Sequence, residues 1–241
     1  MNLLELRDVT KQFGGLTAVD SLSFSMEKGE ILGVIGPNGA GKSTAFNCIA
    51  GVFPPTKGEV VFDGQLINGQ NPWDLCKKGL ARTFQIVKPF GSKSVLYNVT
   101  VGAFANTSSR GEAEARAIEV LKLLNFDDKK DVRSADLTIA DRKRLEIARA
   151  LATDPRLLLL DEVMAGLRPA EVDEMVEIIR FLRDQGVTIL VIEHIMRAIM
   201  ALSDRIVVIH FGKKIAEGVP EAVASDENVI KAYLGDEYGV S

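Results

Sequence analysis

Nine residues, Gly36-Pro37-Asn38-Gly39-Ala40-Gly41-Lys42-Ser43-Thr44, restrict what this chain can fold into more than any other stretch. They match G-x-x-x-x-G-K-[ST], a loop whose glycines let successive backbone N–H groups turn inward around a chain of phosphates. The flanks suit the loop. The apolar run Ile31-Leu32-Gly33-Val34-Ile35 predicts a buried strand, and residues 42–52 predict a helix that offers its positive N-terminal end to the β-phosphate. In that setting Lys42 reaches the β- and γ-phosphates and the Ser43 hydroxyl ligates Mg²⁺.

With 241 residues, 46% of them hydrophobic and 26% charged, the chain has material for one large domain or a domain with a lobe. A net charge of −4 gives no electrostatic reason to expect nucleic acid as a partner. The two cysteines, Cys48 and Cys76, have neither metal-ligand spacing nor a disulfide framework, so a reducing compartment is expected. The amino end alternates and is charged from the start, unlike a signal peptide, and no stretch approaches the ~18 consecutive apolar residues of a membrane span. Work at a membrane would therefore need other chains to do the spanning. Neither an appended regulatory domain nor an internal repeat is expected.

Taken in order, residues 3–10 and 22–26 predict strands, with Lys11-Gln12-Phe13-Gly14-Gly15 between them. A face for stacking a flat base and a strand-end core side chain both fit Phe13. Residues 58–62 predict a strand closed by an Asp63-Gly64 turn, an irregular stretch runs to Pro72, and residues 80–85 predict a strand ending in Gln85. That amide serves equally as a surface group or as an oxygen donor to Mg²⁺ or water. Helical spacing over 95–104 and 111–125, then a charged stretch over 126–136, mark a helical lobe inserted in the nucleotide-binding core. Residues 141–152 predict a helix with its basic residues opposite the apolar positions. Thr138 and Asp141 nearly form a capping box, which closes a helix and can also present its N-terminus to an anion.

Leu157-Leu158-Leu159-Leu160-Asp161-Glu162 is an apolar run ending in two carboxylates, which need a partner at the rim of a sheet. With a phosphate loop in the same chain, Mg²⁺ is the expected partner of Asp161, and Glu162 is placed to orient or deprotonate an attacking water. Residues 169–184 predict an amphipathic helix opened by proline, and 187–192 a buried strand ending in Glu193-His194. His194 ends its strand as Gln85 and Glu162 end theirs. Parallel sheets gather their chemistry at such ends, which makes His194 a candidate contact for the γ-phosphate, whereas His210 inside the next strand reads as structural. A hairpin around Phe211-Gly212 and short helices complete the chain.

This ordered set resembles the ATP-binding cassette (ABC) ATPase family across essentially the whole chain. The resemblance implies an α/β phosphate-loop NTPase core with an antiparallel β subdomain and a helical lobe, residues about 86–153, within a single domain spanning 1–241. It makes Phe13 an adenine-stacking position, residues 36–44 the Walker A loop, Gln85 the Q-loop glutamine and a metal ligand, and Leu137 to Arg144 the signature segment. It likewise makes Asp161 the Walker B metal ligand, Glu162 the catalytic glutamate and His194 the switch histidine. ATP and Mg²⁺ are the implied cofactors. Thr138 and Ala140 are implied to approach nucleotide bound by a second cassette, and integral membrane permease subunits are implied to dock on the lobe at the cytoplasmic face of the inner membrane. The 145–151 helix, the Ala165-Gly166-Leu167 turn and the Ala232-Tyr233-Leu234-Gly235 stretch look like the ATPase subunits of branched-chain amino acid importers, with the lipopolysaccharide-export ATPase similar at the same places.

Two departures stand out. The family's Leu-Ser-Gly-Gly-Gln signature is here Leu137-Thr138-Ile139-Ala140-Asp141, and the proline after the catalytic glutamate and the D-loop aspartate are replaced by Val163 and Arg168. The altered signature predicts that the chain hydrolyses ATP well only with a paralogue offering a better one; a homodimer follows if Thr138 and the capped helix suffice. A soluble ABC ATPase of the iron–sulfur assembly type is the alternative function. DNA-repair relatives are disfavoured, since the stretch between Gln85 and Leu137 has no sustained heptads.

Overall fold

Strands buried along their whole length on both faces belong at the centre of a parallel sheet, and three of them, together with the hairpin and short strand that flank them, position everything functional. The computed structural model describes residues 2–83 and 89–234. Its elements are β1 (Asn2–Phe13), β2 (Leu16–Glu27), β3 (Ile31–Ile35), α1 (Lys42–Ile49), β4 (Lys57–Phe62), β5 (Gln65–Leu66), α2 (Pro72–Lys77) and β6 (Leu80–Arg82). Then follow α3 (Val95–Ala103), α4 (Arg110–Leu123), α5 (Ile139–Leu151), β7 (Leu157–Asp161), α6 (Pro169–Asp184), β8 (Thr188–Ile192) and α7 (Met196–Leu202). The chain closes with β9 (Arg205–His210), β10 (Lys213–Gly218), α8 (Pro220–Ala224) and α9 (Glu227–Leu234).

One sheet has the order β10-β9-β3-β8-β7-β6, parallel from β9 to β6 with β10 antiparallel at its edge; the other is antiparallel, β2-β1-β4-β5. The architecture is the expected one. Two apolar cores flank the parallel sheet, because alternate residues of each strand point to opposite faces. Leu158 and Leu160 face the helices α3 to α7, while Leu157 and Leu159 pack with the β1–β2 strands and α1. Register then matters most. Val34 of β3 and Asp161 of β7 both pair with Ile192 of β8, so these strands end level and deliver Gly36, Glu162 and Glu193-His194 to one edge.

Local structure departs from expectation in a few places. β1 and β2 run longer than the apolar cores of their sequences, as a hairpin turning at Gly14-Gly15, because backbone pairing continues through Lys11, Gln12 and Phe13. The stretch before Pro72 leads into a short helix, α2, capped by the Asn71 side chain accepting the Asp74 N–H with proline at its first turn. Helix α7 was likewise not expected. The charged stretch 126–136 contains two single 3₁₀ turns, Asp127–Lys129 and Ser134–Asp136. Helix α5 starts at the predicted Thr138 cap, yet one of its basic residues, Lys143, is buried instead of lying on the outer face. Among the described residues no helix is long and apolar enough to cross a membrane.

Candidate functional site

The phosphate loop is wedged between two strands that only glycine lets it approach. A Cβ on Gly36 would lie 2.0 Å from the Ile209 carbonyl oxygen, and one on Gly41, at φ +104°, would lie 2.4 Å from that of Ala18. Gly41 is also the N-cap of α1, and among the described residues no side-chain cap bond closes that helix, so its first-turn N–H groups can meet an anion. Lys42 opens the helix, buried, and its ammonium donates to the Gly36 and Pro37 carbonyls at 2.7 and 3.0 Å. Burial pushes that ammonium below its ordinary value, while the charges of Glu162 and Asp161 act to raise it. The loop lysine and the two strand-end acids are thus electrostatically one site.

Asp161 ends β7 almost fully buried, and its surroundings explain how a carboxylate survives there. Its backbone N–H donates to the Thr83 hydroxyl at 3.2 Å, and its Oδ2 accepts from the Arg82 guanidinium at 2.7 Å. The other arm of Arg82 reaches Asn47 Oδ1 on α1 at 2.6 Å. A charged residue ending a strand beside the acid-terminated strand was the signal for this clamp, and sequence reading passed over it. Glu162 follows in the left-handed region at φ +50°, its N–H donating to Ile192 O at 3.0 Å.

A cleft of about 400 Å³ joins Asn38, Gly39, Ala40, Gly41, Lys42, Ser43 and Thr44 to Glu162, with Leu16, Thr17, Ala18, Phe211 and Gly212 as the remaining wall. Those wall residues come from β2 and the β9–β10 turn, and nothing local in their sequence marks them. Phe211 is 80% exposed at the rim. Phe13 lies outside that lining: it is 46% exposed, packs edge-on against Phe53 at 5.3 Å, and has the Lys11 ammonium over its ring. Its cross-strand neighbour Leu16 is in the lining. His194 is exposed just past β8, and Glu193 before it is buried, its Oε1 accepting the Met164 N–H at 2.7 Å; burial raises that carboxyl above its ordinary value. Gln85 lies outside the described residues. A cavity of about 700 Å³ between the segment after α4 and helices α5, α6 and α7 contains neither the phosphate-loop residues nor the strand-end acids, so it lacks the groups phosphate chemistry needs.

Thr138 and Ala140 sit apart from the cleft, at the start of α5. The Thr138 hydroxyl accepts the Asp141 N–H at 3.1 Å and donates to its carboxylate at 2.8 Å, and Lys129 grips both Asp141 oxygens at 2.7 and 2.8 Å. Ile139 is left 61% exposed. Burial acts to raise the Asp141 carboxyl, but the hydrogen bonds of Lys129 and Thr138, backed by the charges of Lys129 and Arg144, hold it below its ordinary value. The unfolded chain then binds that proton more readily, so the stabilisation is complete above the ordinary carboxylate pKa of about 4 and is lost as pH falls through the lower folded value. Lys129 is partly exposed, which limits the pair to about 1 kcal/mol. Lys129→Met should therefore melt about 2–4 °C lower at pH 7, with the gap narrower at pH 3. A gap of the same size at both pH values, by calorimetry, would refute this account.

The residues present fit a nucleotide with Mg²⁺: an uncapped helix N-terminus, a buried lysine, an exposed serine hydroxyl at the cleft and a buried carboxylate within one electrostatic cluster. The comparisons agree with that chemistry. Residues 19–165 match the family described as ABC transporter, and 213–239 match that described as branched-chain amino acid ATP-binding cassette transporter. The chain is 38% identical to the high-affinity branched-chain amino acid transport ATP-binding protein BraF of Pseudomonas aeruginosa, over 97% of this chain and 98% of BraF. LivG of Escherichia coli, of the same description, is 38% identical over the same shares, and the lipopolysaccharide export system ATP-binding protein LptB of that organism is 33% identical over 99% of each chain. Among solved structures, the ADP conformation of MJ1267, an ATP-binding cassette of an ABC transporter, superposes with a TM-score of 0.90 at 31% identity, covering 98% of this chain and all of that one. A dimeric post-hydrolysis state of the cassette MJ0796 bound to ADP and Pi gives 0.79 at 26% identity, covering 90% and 98%. On a phosphate loop, strand-end acids and relatives that agree over nearly its full length, the chain belongs to the ABC transporter ATP-binding family.

Proposed function

We propose that this ATPase powers a membrane importer for branched-chain amino acids or related compounds, working as a peripheral subunit on the cytoplasmic face of the inner membrane. The level ends of β3, β7 and β8 carry the chemical part of the reading, since they set Lys42, Ser43 and Glu162 around one cleft, with Asp161 buried next to Glu162 at the end of β7. Likeness to BraF and LivG carries the transport part.

In this scheme the Walker A N–H groups and Lys42 hold the phosphates. Glu162 takes a proton from water as the water oxygen bonds to the γ-phosphorus, and the bond from that phosphorus to the bridging oxygen breaks to release ADP and phosphate. Mg²⁺, when bound by Ser43, Asp161 and Gln85, supplies positive charge to offset the phosphates. His194 contacts the γ-phosphate from the end of β8, and Phe13 stacks on adenine beside the cleft wall. Thr138 and Ala140 face the nucleotide of a second cassette. That cassette is a paralogue or another copy; the internal Asp141–Lys129 pair removes the electrostatic objection to another copy.

Residues about 86–153 form the lobe on which permease subunits dock, within a single domain. Support comes from a mostly apolar cavity of about 300 Å³ between the α1–α2 side and helices α3 and α5, lined by Val52, Pro72, Val101 and Ala150 with Arg82, Glu146 and Arg149 among its charged wall residues, and with Trp73 exposed nearby. An amphipathic helix of a membrane protein matches such a groove. Membrane extraction should recover the chain with integral membrane proteins and a second cassette, identified by mass spectrometry. Val101→Glu, or charge reversal within 86–101, should release it while leaving ATP affinity unchanged. Likeness to LptB favours lipopolysaccharide export as the second reading, and the recovered permease separates the two. Recovery only with cytosolic proteins would defeat both.

A further inference from the structure

Glu162 is held in its left-handed conformation by contacts from two directions. Its N–H donates to Ile192 O of β8 at 3.0 Å, and its carbonyl oxygen accepts from the Lys143 ammonium, also at 3.0 Å. Two residues on, Glu193 at the end of β8 accepts the Met164 N–H and secures the turn that follows. A non-glycine residue is strained in this region and stays there only when its surroundings fix it. Of these three anchors, Lys143 alone comes from α5, the helix that begins at the Thr138 cap. It is 7% exposed, a depth at which an ammonium needs acids around it, and Glu193, Glu162, Asp161 and Glu146 supply them.

We propose that Lys143 is a positioning residue: by gripping the Glu162 carbonyl it sets the direction of the Glu162 side chain and ties the reach of that carboxylate to the placement of α5. The direction of a side chain follows from its Cα frame, so a change at the Glu162 peptide is carried to the carboxylate. A 1 Å misplacement of a catalytic group costs up to about 10²-fold in rate. The inference rests on Glu162 acting as the base, and the test keeps the two apart.

The full-length chain is compared as wild type, Lys143→Met, Lys143→Arg, Glu162→Gln and the double variant Lys143→Met/Glu162→Gln. Single-turnover ATP hydrolysis is measured with protein in excess, and affinity with a fluorescent ATP analogue. Lys143→Met should lower the rate by about 10- to 100-fold with affinity within twofold of wild type. Lys143→Arg, which keeps the cation but shifts its donor atoms, should recover part of that loss and lie roughly threefold to tenfold below wild type. The double variant should be no slower than Glu162→Gln alone, because a positioning residue has nothing left to position. Wild-type hydrolysis in Lys143→Met, a loss of affinity parallel to the loss of rate, or a further fall in the double variant would each overturn the proposal. If Lys143→Met does not fold, Lys143→Arg decides: a roughly threefold to tenfold slower rate at unchanged affinity supports it, and unchanged rate or a parallel fall in affinity overturns it. Wild-type turnover in Glu162→Gln is a different failure, which removes the base itself.

Discussion

Glu162→Gln should bind ATP–Mg²⁺ as tightly as wild type and hydrolyse it about 10²–10⁴-fold more slowly, the range a positioned general base contributes. The amide is close to the carboxylate in size, so the left-handed turn and its bonds to Ile192 and Lys143 stay in place. Only the proton acceptor is lost. Affinity and turnover should therefore separate cleanly in one variant, binding read by fluorescence of a nucleotide analogue and hydrolysis by phosphate release. Wild-type turnover would remove Glu162 from the chemistry and turn attention to His194, the exposed group at the neighbouring strand end.

Lys42→Ala has the opposite signature. Its ammonium is held against the Gly36 and Pro37 carbonyls at the base of the loop, where a phosphate would meet it with little water between. Truncating one partner of a buried charge contact costs about 2–5 kcal/mol, on the order of 30- to several-thousand-fold in affinity. The variant should lose nucleotide-dependent thermal stabilisation, since stabilisation by a ligand scales with its concentration over its dissociation constant. The nucleotide-free melting temperature is the control, because Lys42 also satisfies two loop carbonyls. An undiminished ATP-dependent rise in melting temperature would show that α1 and the loop N–H groups hold the phosphates unaided.

What could be read beforehand was whatever local chemistry forces. The spacing of Gly36, Gly41 and Lys42 permits few folds, four leucines ending in Asp161-Glu162 leave few environments, and Thr138 three residues before Asp141 announces a cap that the structure contains. Helices α2 and α7 escaped because six or seven residues are too few to show a period, although Asn71-Pro72 was a legible start signal. Lys143 escaped for a subtler reason. It lies four and seven residues before Ile147 and Ala150, on the buried face of α5, but a rule that reads lysine as surface discards that position. Leu16 and Phe211 were illegible in principle, since their place in the cleft wall depends on strands distant in sequence meeting at the phosphate loop.

The Arg82 clamp bears on how the cassette behaves between turnovers. A carboxylate sealed at the edge of an apolar sheet would be costly to keep ionised each time a nucleotide leaves, and here a guanidinium of the protein itself balances it. The same guanidinium grips Asn47, one helical turn beyond Ser43, so the hydroxyl-bearing helix and the acid-bearing strand are tied together through one side chain. In the proposed mechanism, the spacing of the Ser43 and Asp161 oxygens would thereby be a property of the polypeptide itself. One nucleotide can be exchanged for the next without the sheet edge having to rebuild itself.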